Sequence, residues 1–131
     1  MTDAADTFDL KRTYIHLLPG TGAARIPVDD AFWAEIATRT ELYDGRLVVL
    51  SRYAADWTHW ERHPAGEEVL FLLDGAVDMV VEQADGGTRV IALRGRAACI
   101  MPRGLWHRGI VHEPGDVLHI TPGAGTEHRP L

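Results

Sequence analysis

The sequence predicts an all-β chain with one short helix near its N-terminus. From Gly45 onward, short apolar runs ("RLVVLSRY", "EEVLFLL", "AVDMVVEQ", "TRVIAL", "AACIMP", "WHRGIVH" and "DVLHIT") are separated by "DG", "DGG", "RGR", "PRG" and "EPGD". Turns of this kind need Gly, Asp or Pro at special backbone angles, so the spacing argues for an antiparallel sandwich or barrel. At 131 residues and 46% hydrophobic, the chain can bury one core without disulfides or a structural metal.

The first third reads differently. Residues 1–28 include "LLPGTGAARIPV", irregular and punctuated by Gly and Pro. "VDDAFWAEIATR" follows, with Asp29 or Asp30 as N-cap and Phe32, Trp33 and Ile36 forming an apolar side, which predicts a helix over 30–39. The "GTG" around Thr21 lacks the Lys-Ser/Thr of a P-loop and a preceding buried strand, so it reads as a loop. Cys99, the single cysteine, lies in the apolar run "AACIMP" and reads as a small core residue, which excludes a disulfide framework.

Charge narrows the partners. Thirteen basic residues against nineteen acidic ones leave a formal charge of −6, and no Lys/Arg cluster is long enough to follow a phosphate backbone. Nucleic acid and anionic membranes are excluded as expected partners. The acidic start "MTDAADTFDLKR" has no apolar signal segment, so a cytoplasmic location is expected.

The densest chemistry lies in "HWERHPAGEEVLFLLDG", His59 to Gly75. Side chains alternate across a strand, so Glu61 and His63 share a face, with His59 and Trp57 on it too if no bulge intervenes. "PAG" reverses the chain at 64–66, and Glu68 then opens a strand with Leu70 and Leu72 on its own face and Val69, Phe71 and Leu73 on the other. With both faces apolar, the strand is expected to be covered on both sides. An isolated inward carboxylate costs several kcal/mol or is forced to protonate, so Glu68 needs a partner. Glu61 and His63 across the turn supply either a divalent-metal site or a structural hydrogen-bond network. "GRAACIMPRGLWHRGIV" adds another inward candidate, His107, just beyond a Pro-x-Gly turn.

On these residues the chain resembles the cupin family, whose two motifs read G-x5-H-x-H-x3,4-E-x6-G and G-x5-P-x-G-x2-H-x3-N. His63, Glu68 and Gly75 match the end of the first motif, and Gly95, Pro102, Gly104 and His107 match the second with one extra residue before the proline. The resemblance covers residues 46–122 and implies a double-stranded β-helix, the jelly-roll barrel, with a metal in its mouth. It places a conserved barrel at 46–122, an N-terminal extension with the short helix at 1–45 packed on it, and a tail at 123–131, one domain in all. It implies His63, Glu68 and His107 as metal ligands. The first motif histidine falls on Glu61, and the final asparagine on Val111. The stretch W-E-x-H-P-x-G-x-E and the ending "TPGAGTEHRP" also resemble a group of small bacterial cupins with Glu at that position.

Three readings of Glu61 stay open: a fourth ligand, which we favour; a residue lining the pocket of a three-ligand metal; or a hydrogen-bonding residue in a site without metal. His59 replaces it only if the strand shifts its register by two residues. Two imidazoles with one or two carboxylates suit Fe, Mn, Ni or Zn as divalent ions, and the lack of a cysteine ligand argues against structural zinc. Because the family resemblance does not fix a reaction, two functions are carried forward. One is a metal-dependent enzyme of dioxygenase, isomerase or lyase type acting on a small oxygen-bearing metabolite, with Tyr53, Trp57, His59 and Met101 shaping the pocket. The other is a non-enzymatic domain that binds or senses a small molecule or metal. A cofactor-free acid/base enzyme using Glu61 and Glu68 ranks below both, because it leaves His63 and His107 without a reason to converge.

Two further expectations concern surfaces. The two-sided apolar "VLFLL" and outward Trp60 and Trp106 predict a homodimer, the alternative being cover by the N-terminal segment. His112, His119 and His128 are expected to stand apart from the metal, His119 for want of a metal-grade neighbour and His128 because it lies in the tail.

Overall fold

The computed structural model describes residues 6–123 and 125–131. Eleven strands, among the described residues, run in chain order: β1 Thr13–Leu17, β2 Ala23–Pro27, β3 Arg46–Tyr53, β4 His59–Arg62, β5 Glu68–Leu72, β6 Ala76–Glu82, β7 Thr88–Leu93, β8 Ala98–Met101, β9 His107–Glu113, β10 Gly115–Thr121 and β11 Glu127–Pro130. They form two antiparallel sheets, ordered β2-β1-β3-β10-β5-β8 and β11-β4-β9-β6-β7. From β3 onward the chain alternates between the two sheets except at the β6–β7 hairpin, and the inward faces enclose the main core. Among the described residues, no helix is long and apolar enough to cross a membrane.

Alternation along the strands builds that interior. On β5, Glu68, Leu70 and Leu72 are buried while Val69 and Phe71 are half-buried, and on β10 Val117, His119 and Thr121 point inward. The main cluster joins Leu70, Leu72, Val77, Met79, Val81 and Val117 from both sheets. Such apolar burial is the principal driving force of the fold. Gly75 turns the chain into β6 at φ +87°, where a Cβ would stand 2.6 Å from the Glu113 carbonyl oxygen. Only glycine meets both demands.

The N-terminal extension departs from its sequence reading. Residues read as irregular form β1 and β2, and β1 pairs with β3 (Ile15 opposite Val48), so the extension lengthens the sheet. Two short strands joined by a Gly-rich turn carry too little periodicity to stand out. The helix expected over 30–39 is an α-turn, α1 (Phe32–Glu35), followed by 3₁₀ turns at Ile36–Thr38 and Thr40–Leu42. Asp29 accepts from the Ala31 N–H at 3.1 Å, and Ala31 is the N-cap. The segment is held by tertiary packing: Phe32 and Leu42 are buried with Tyr14, Leu47 and Val49 in a second core.

The tail is also structured. β11 pairs with β4, placing Glu127 opposite Arg62 and His128 opposite Glu61. Trp60 and Trp106, the surfaces behind the expected homodimer, are covered by the chain's own guanidiniums: Arg129 lies over both rings, at 5.2 and 4.7 Å, with Arg108 over Trp60 and Arg62 over Trp106. Glu82 anchors Arg129 at 2.8 Å. Those tryptophans therefore supply little bare apolar surface for a second copy. Cys99 is half-buried against the main core, and burial raises its thiol pKa.

Candidate metal centre

The turn at 64–66 brings the end of β4 back against the start of β5, and β9 closes the group from the other side. Glu61 lies opposite His107 in the β4–β9 pairing. His63 follows β4 directly, with Nε2 3.1 Å from Glu61 Oε1 and 3.3 Å from Glu68 Oε1. His107 Nε2 is 3.5 Å from that same Glu68 oxygen. The four residues expected to gather at a metal thus stand together.

Their burial decides what they can do. The side chains of His63, Glu68 and His107 are 4%, 3% and 0% exposed. His63 Nε2, Glu68 Oε1 and His107 Nε2 are all buried and lack a hydrogen-bond partner. Buried polar atoms are normally satisfied; here three face one another, and with the proton of His63 displaced they form a set of electron-pair donors. The opposite ring nitrogens are engaged: His107 Nδ1 donates to the Leu105 carbonyl at 3.0 Å, and His63 Nδ1 bonds the Thr126 hydroxyl at 3.0 Å. Those bonds fix both rings with Nε2 toward the site, the arrangement of metal-ligating histidines. Glu61, His63 and His107 each offer a donor atom within 4.8 Å of the others. The residues present therefore fit a divalent ion held by imidazole and carboxylate.

The charges agree with this picture. Burial opposes ionisation of Glu68, but the imidazoles of His107, His119 and His63 overcome it and hold the carboxyl well below its ordinary range. Burial likewise opposes ionisation of Glu61, yet His63 wins and the pKa falls, with Glu68 pulling the other way. Burial favours neutral His63, whereas Glu61 and Glu68 outweigh it and raise its pKa to about 9.

His119 is the residue that sequence reasoning missed. Its Nδ1 lies 3.2 Å from Glu68 Oε2, and its Nε2 lies 2.9 Å from the Tyr53 hydroxyl. With Glu68 ionised, the proton sits on Nδ1, and Nε2 accepts from Tyr53. The reading that His119 has no metal-grade neighbour is thereby corrected: β10 lies beside β5, with His119 opposite Leu70. His128, expected to stand apart, has Nε2 3.7 Å from Glu61 Oε2. His112 does stand apart, paired with Asp78 on the outer face at 2.8 Å.

A cavity of about 480 Å³ opens onto the group, with Tyr53, Trp57, Glu61, His63, Glu68 and His119 among its walls. Trp57 packs on Tyr53, His59 and His107, with ring centroids 5.7, 5.9 and 5.9 Å away. Gly109 makes room for the indole, since a Cβ there would lie 2.9 Å from Trp57 Nε1. Two residues expected in the pocket are placed elsewhere. Met101 faces inward but is sealed in the main core, 1% exposed, and His59 stacks on Trp57 with its side chain 42% exposed. Much of the outer wall comes instead from the N-terminal extension, through Trp33, Ile36, Ala37 and Tyr43.

No family model matches the chain, and no curated protein matches it in sequence. Solved structures do match. A cupin-2 domain containing protein from Shewanella frigidimarina NCIMB 400 superposes with a TM-score of 0.51 at 18% identity, over 59% of this chain and 70% of that one. The chain has the cupin fold. Two other cupin-fold neighbours are enzymes. A variant of Bacillus subtilis oxalate decarboxylase matches with a TM-score of 0.55 at 19% identity, over 66% of this chain and 24% of that one. A hydroquinone 1,2-dioxygenase in complex with Cd2+ and 4-hydroxybenzonitrile matches with a TM-score of 0.50 at 20% identity, over 59% and 57%. This chain therefore spans about a quarter of the decarboxylase and somewhat more than half of the dioxygenase chain. At such identities the likeness is one of fold.

Proposed function

We propose that this cupin is a metal-dependent enzyme acting on a small molecule with an oxygen-bearing head and an apolar body. The observation that carries the proposal is the convergence of His63 Nε2, Glu68 Oε1 and His107 Nε2, three buried donors without partners. These residues would hold a divalent transition ion, with Glu61 as a fourth ligand. When bound, such an ion supplies Lewis-acid polarisation of a substrate oxygen or, for a redox metal, oxygen chemistry.

The chain's own residues do the rest. His119 donates to the second oxygen of Glu68 and is itself held by the Tyr53 hydroxyl, so the first oxygen stays turned to the imidazoles. The Trp33, Ile36, Leu47 and Val49 side chains line the cavity and would bind an apolar body while excluding water. At the buried end of the cavity the Tyr53 oxygen keeps a lone pair that would accept from the oxygen-bearing head. A cavity of about 480 Å³ accommodates a molecule much larger than a two-carbon acid, which favours a ring or short chain as the body.

Elemental analysis of protein purified without chelator, followed by anaerobic addition of Fe(II), Mn(II), Ni(II) and Zn(II), tests the reading. Metal bound by the wild type, reduced by one equivalent in His63→Ala and in His107→Ala, is expected. Absence of binding for all four ions would overturn it. With metal bound, turnover of oxygenated aromatic or short aliphatic compounds separates an enzyme from a binding domain.

A further inference from the structure

Glu61 stands at the centre of a cross of imidazoles. Along β4 its neighbours on the same face are His59 and, just past the strand end, His63. Across the sheet His107 lies opposite it on β9, and His128 lies opposite it on β11. The two carboxylate oxygens divide this set. Oε1 faces inward to His63 at 3.1 Å, while Oε2 faces outward to His128 at 3.7 Å and His59 at 3.9 Å.

We propose that His59, His128 and Glu61 Oε2 form a second divalent-metal site at the barrel rim, with Glu61 bridging it to the inner site. The bridging rests on the inner metal proposed above, whereas the outer donor set does not. Two imidazoles and a carboxylate, each offering an atom within 4.8 Å of the others, suit Zn(II), Co(II), Ni(II) or Mn(II). Donors sharing one ion at ordinary bond lengths of about 2.0–2.2 Å lie roughly 3–3.5 Å apart. The observed 3.7 and 3.9 Å from Glu61 Oε2 to the two imidazoles require a closure of a few tenths of an ångström, and the imidazole donors lie within 4.8 Å of each other before it. The side chains can supply it, because His59 and His128 are 42% and 58% exposed on a paired-strand backbone.

Structural pairing is a weaker explanation for the cluster. Neither outer histidine makes a hydrogen bond to Glu61 at these distances, and ion pairs this exposed contribute little to stability. The His59 ring stacks on Trp57 at an interplanar angle of 19° and meets His128 edge-on at 5.0 Å. That packing restrains His59 beside Glu61 and holds the two imidazoles together at the rim. An outer ion would also sit beside the cavity, since Glu61 and His128 both line it.

Calorimetric titration with Zn(II), with bound metal counted after dialysis, tests the proposal in wild type, the His59→Ala/His128→Ala double variant and His107→Ala. Two zinc ions per chain in wild type and one in the double variant are expected. With two Mn(II) bound, the wild-type electron paramagnetic resonance spectrum should show exchange coupling that the double variant lacks. One zinc in both wild type and double variant, absent from His107→Ala, would overturn the outer site and leave the inner reading standing. One zinc lost from the double variant but kept by His107→Ala would overturn the inner reading and the bridge, while retaining the outer donors. Two zinc ions in the double variant, or uncoupled Mn(II) in wild type, would also defeat the bridged outer site.

Discussion

His119 Nδ1 lies 3.2 Å from Glu68 Oε2, on the side of the carboxylate turned away from His63 and His107. The contact makes His119 the support of a ligand rather than a ligand. Removing such a partner typically costs 10- to 100-fold in metal affinity. His119→Ala should therefore weaken the inner ion by about that factor while leaving its stoichiometry unchanged. Tyr53→Phe should act in the same direction and less strongly, because it removes only the outer hydrogen bond of the pair. Competition with a chromogenic chelator measures both; unaltered affinity in His119→Ala would reduce the contact to core packing.

Glu61 carries more of the site. Glu61→Gln preserves shape and removes the charge, so the inner ion should be weakened by at least about 10- to 100-fold. The outer ion should be lost as well, because both oxygens of one carboxylate serve the two sites. Glu61→His should restore part of the inner affinity and none of the bridging. Inner affinity unchanged in Glu61→Gln would make Glu61 a pocket residue and leave a two-histidine, one-carboxylate set.

His63 sets the pH dependence. In the metal-free chain, burial favours its neutral form, but Glu61 and Glu68 raise its pKa to about 9. Because the folded value lies above the ordinary 6.5, its contribution to metal-free stability is complete below that value and is lost as pH rises through about 9. A metal competes for the same Nε2, so binding near neutral pH should expel a proton. The apparent Kd should rise about tenfold for each unit that pH falls below the His63 value. Calorimetry in buffers of different ionisation enthalpy counts that proton, and none released would mean His63 is already neutral.

Much of this centre was legible because strand alternation and a tight turn are local. Glu61, His63 and Glu68 fall within eight residues; the period of two puts Glu61 with His63, and the turn at 64–66 returns the chain so that Glu68 meets them. His119 was not legible for a related reason. In "DVLHIT" the more apolar alternate face is Leu118 and Ile120, yet the structure turns Val117, His119 and Thr121 inward. Only the β10–β5 pairing, a contact far apart in sequence, resolves that ambiguity. His128 was hidden similarly, since "EHRP" becomes a strand only by pairing with β4. β1 and β2 are too short to announce themselves.

The N-terminal extension separates stability from ligand binding in a way two substitutions can distinguish. Leu42 is fully buried in the second core, so Leu42→Ala should destabilise the chain by about 2–5 kcal/mol through lost transfer energy and an unfilled cavity. Trp33 is half exposed, lines the cavity and packs edge-on against Phe32 at 5.0 Å. Its removal should cost only about 1 kcal/mol, the worth of its aromatic contacts. Binding of an apolar reporter such as anilinonaphthalene sulfonate should nevertheless weaken in Trp33→Ala, because that side chain forms part of the outer wall. Urea denaturation and dye titration on both variants test the separation. Dye binding left intact by Trp33→Ala would place the apolar body deeper, against Leu47 and Val49, and remove the extension from ligand recognition.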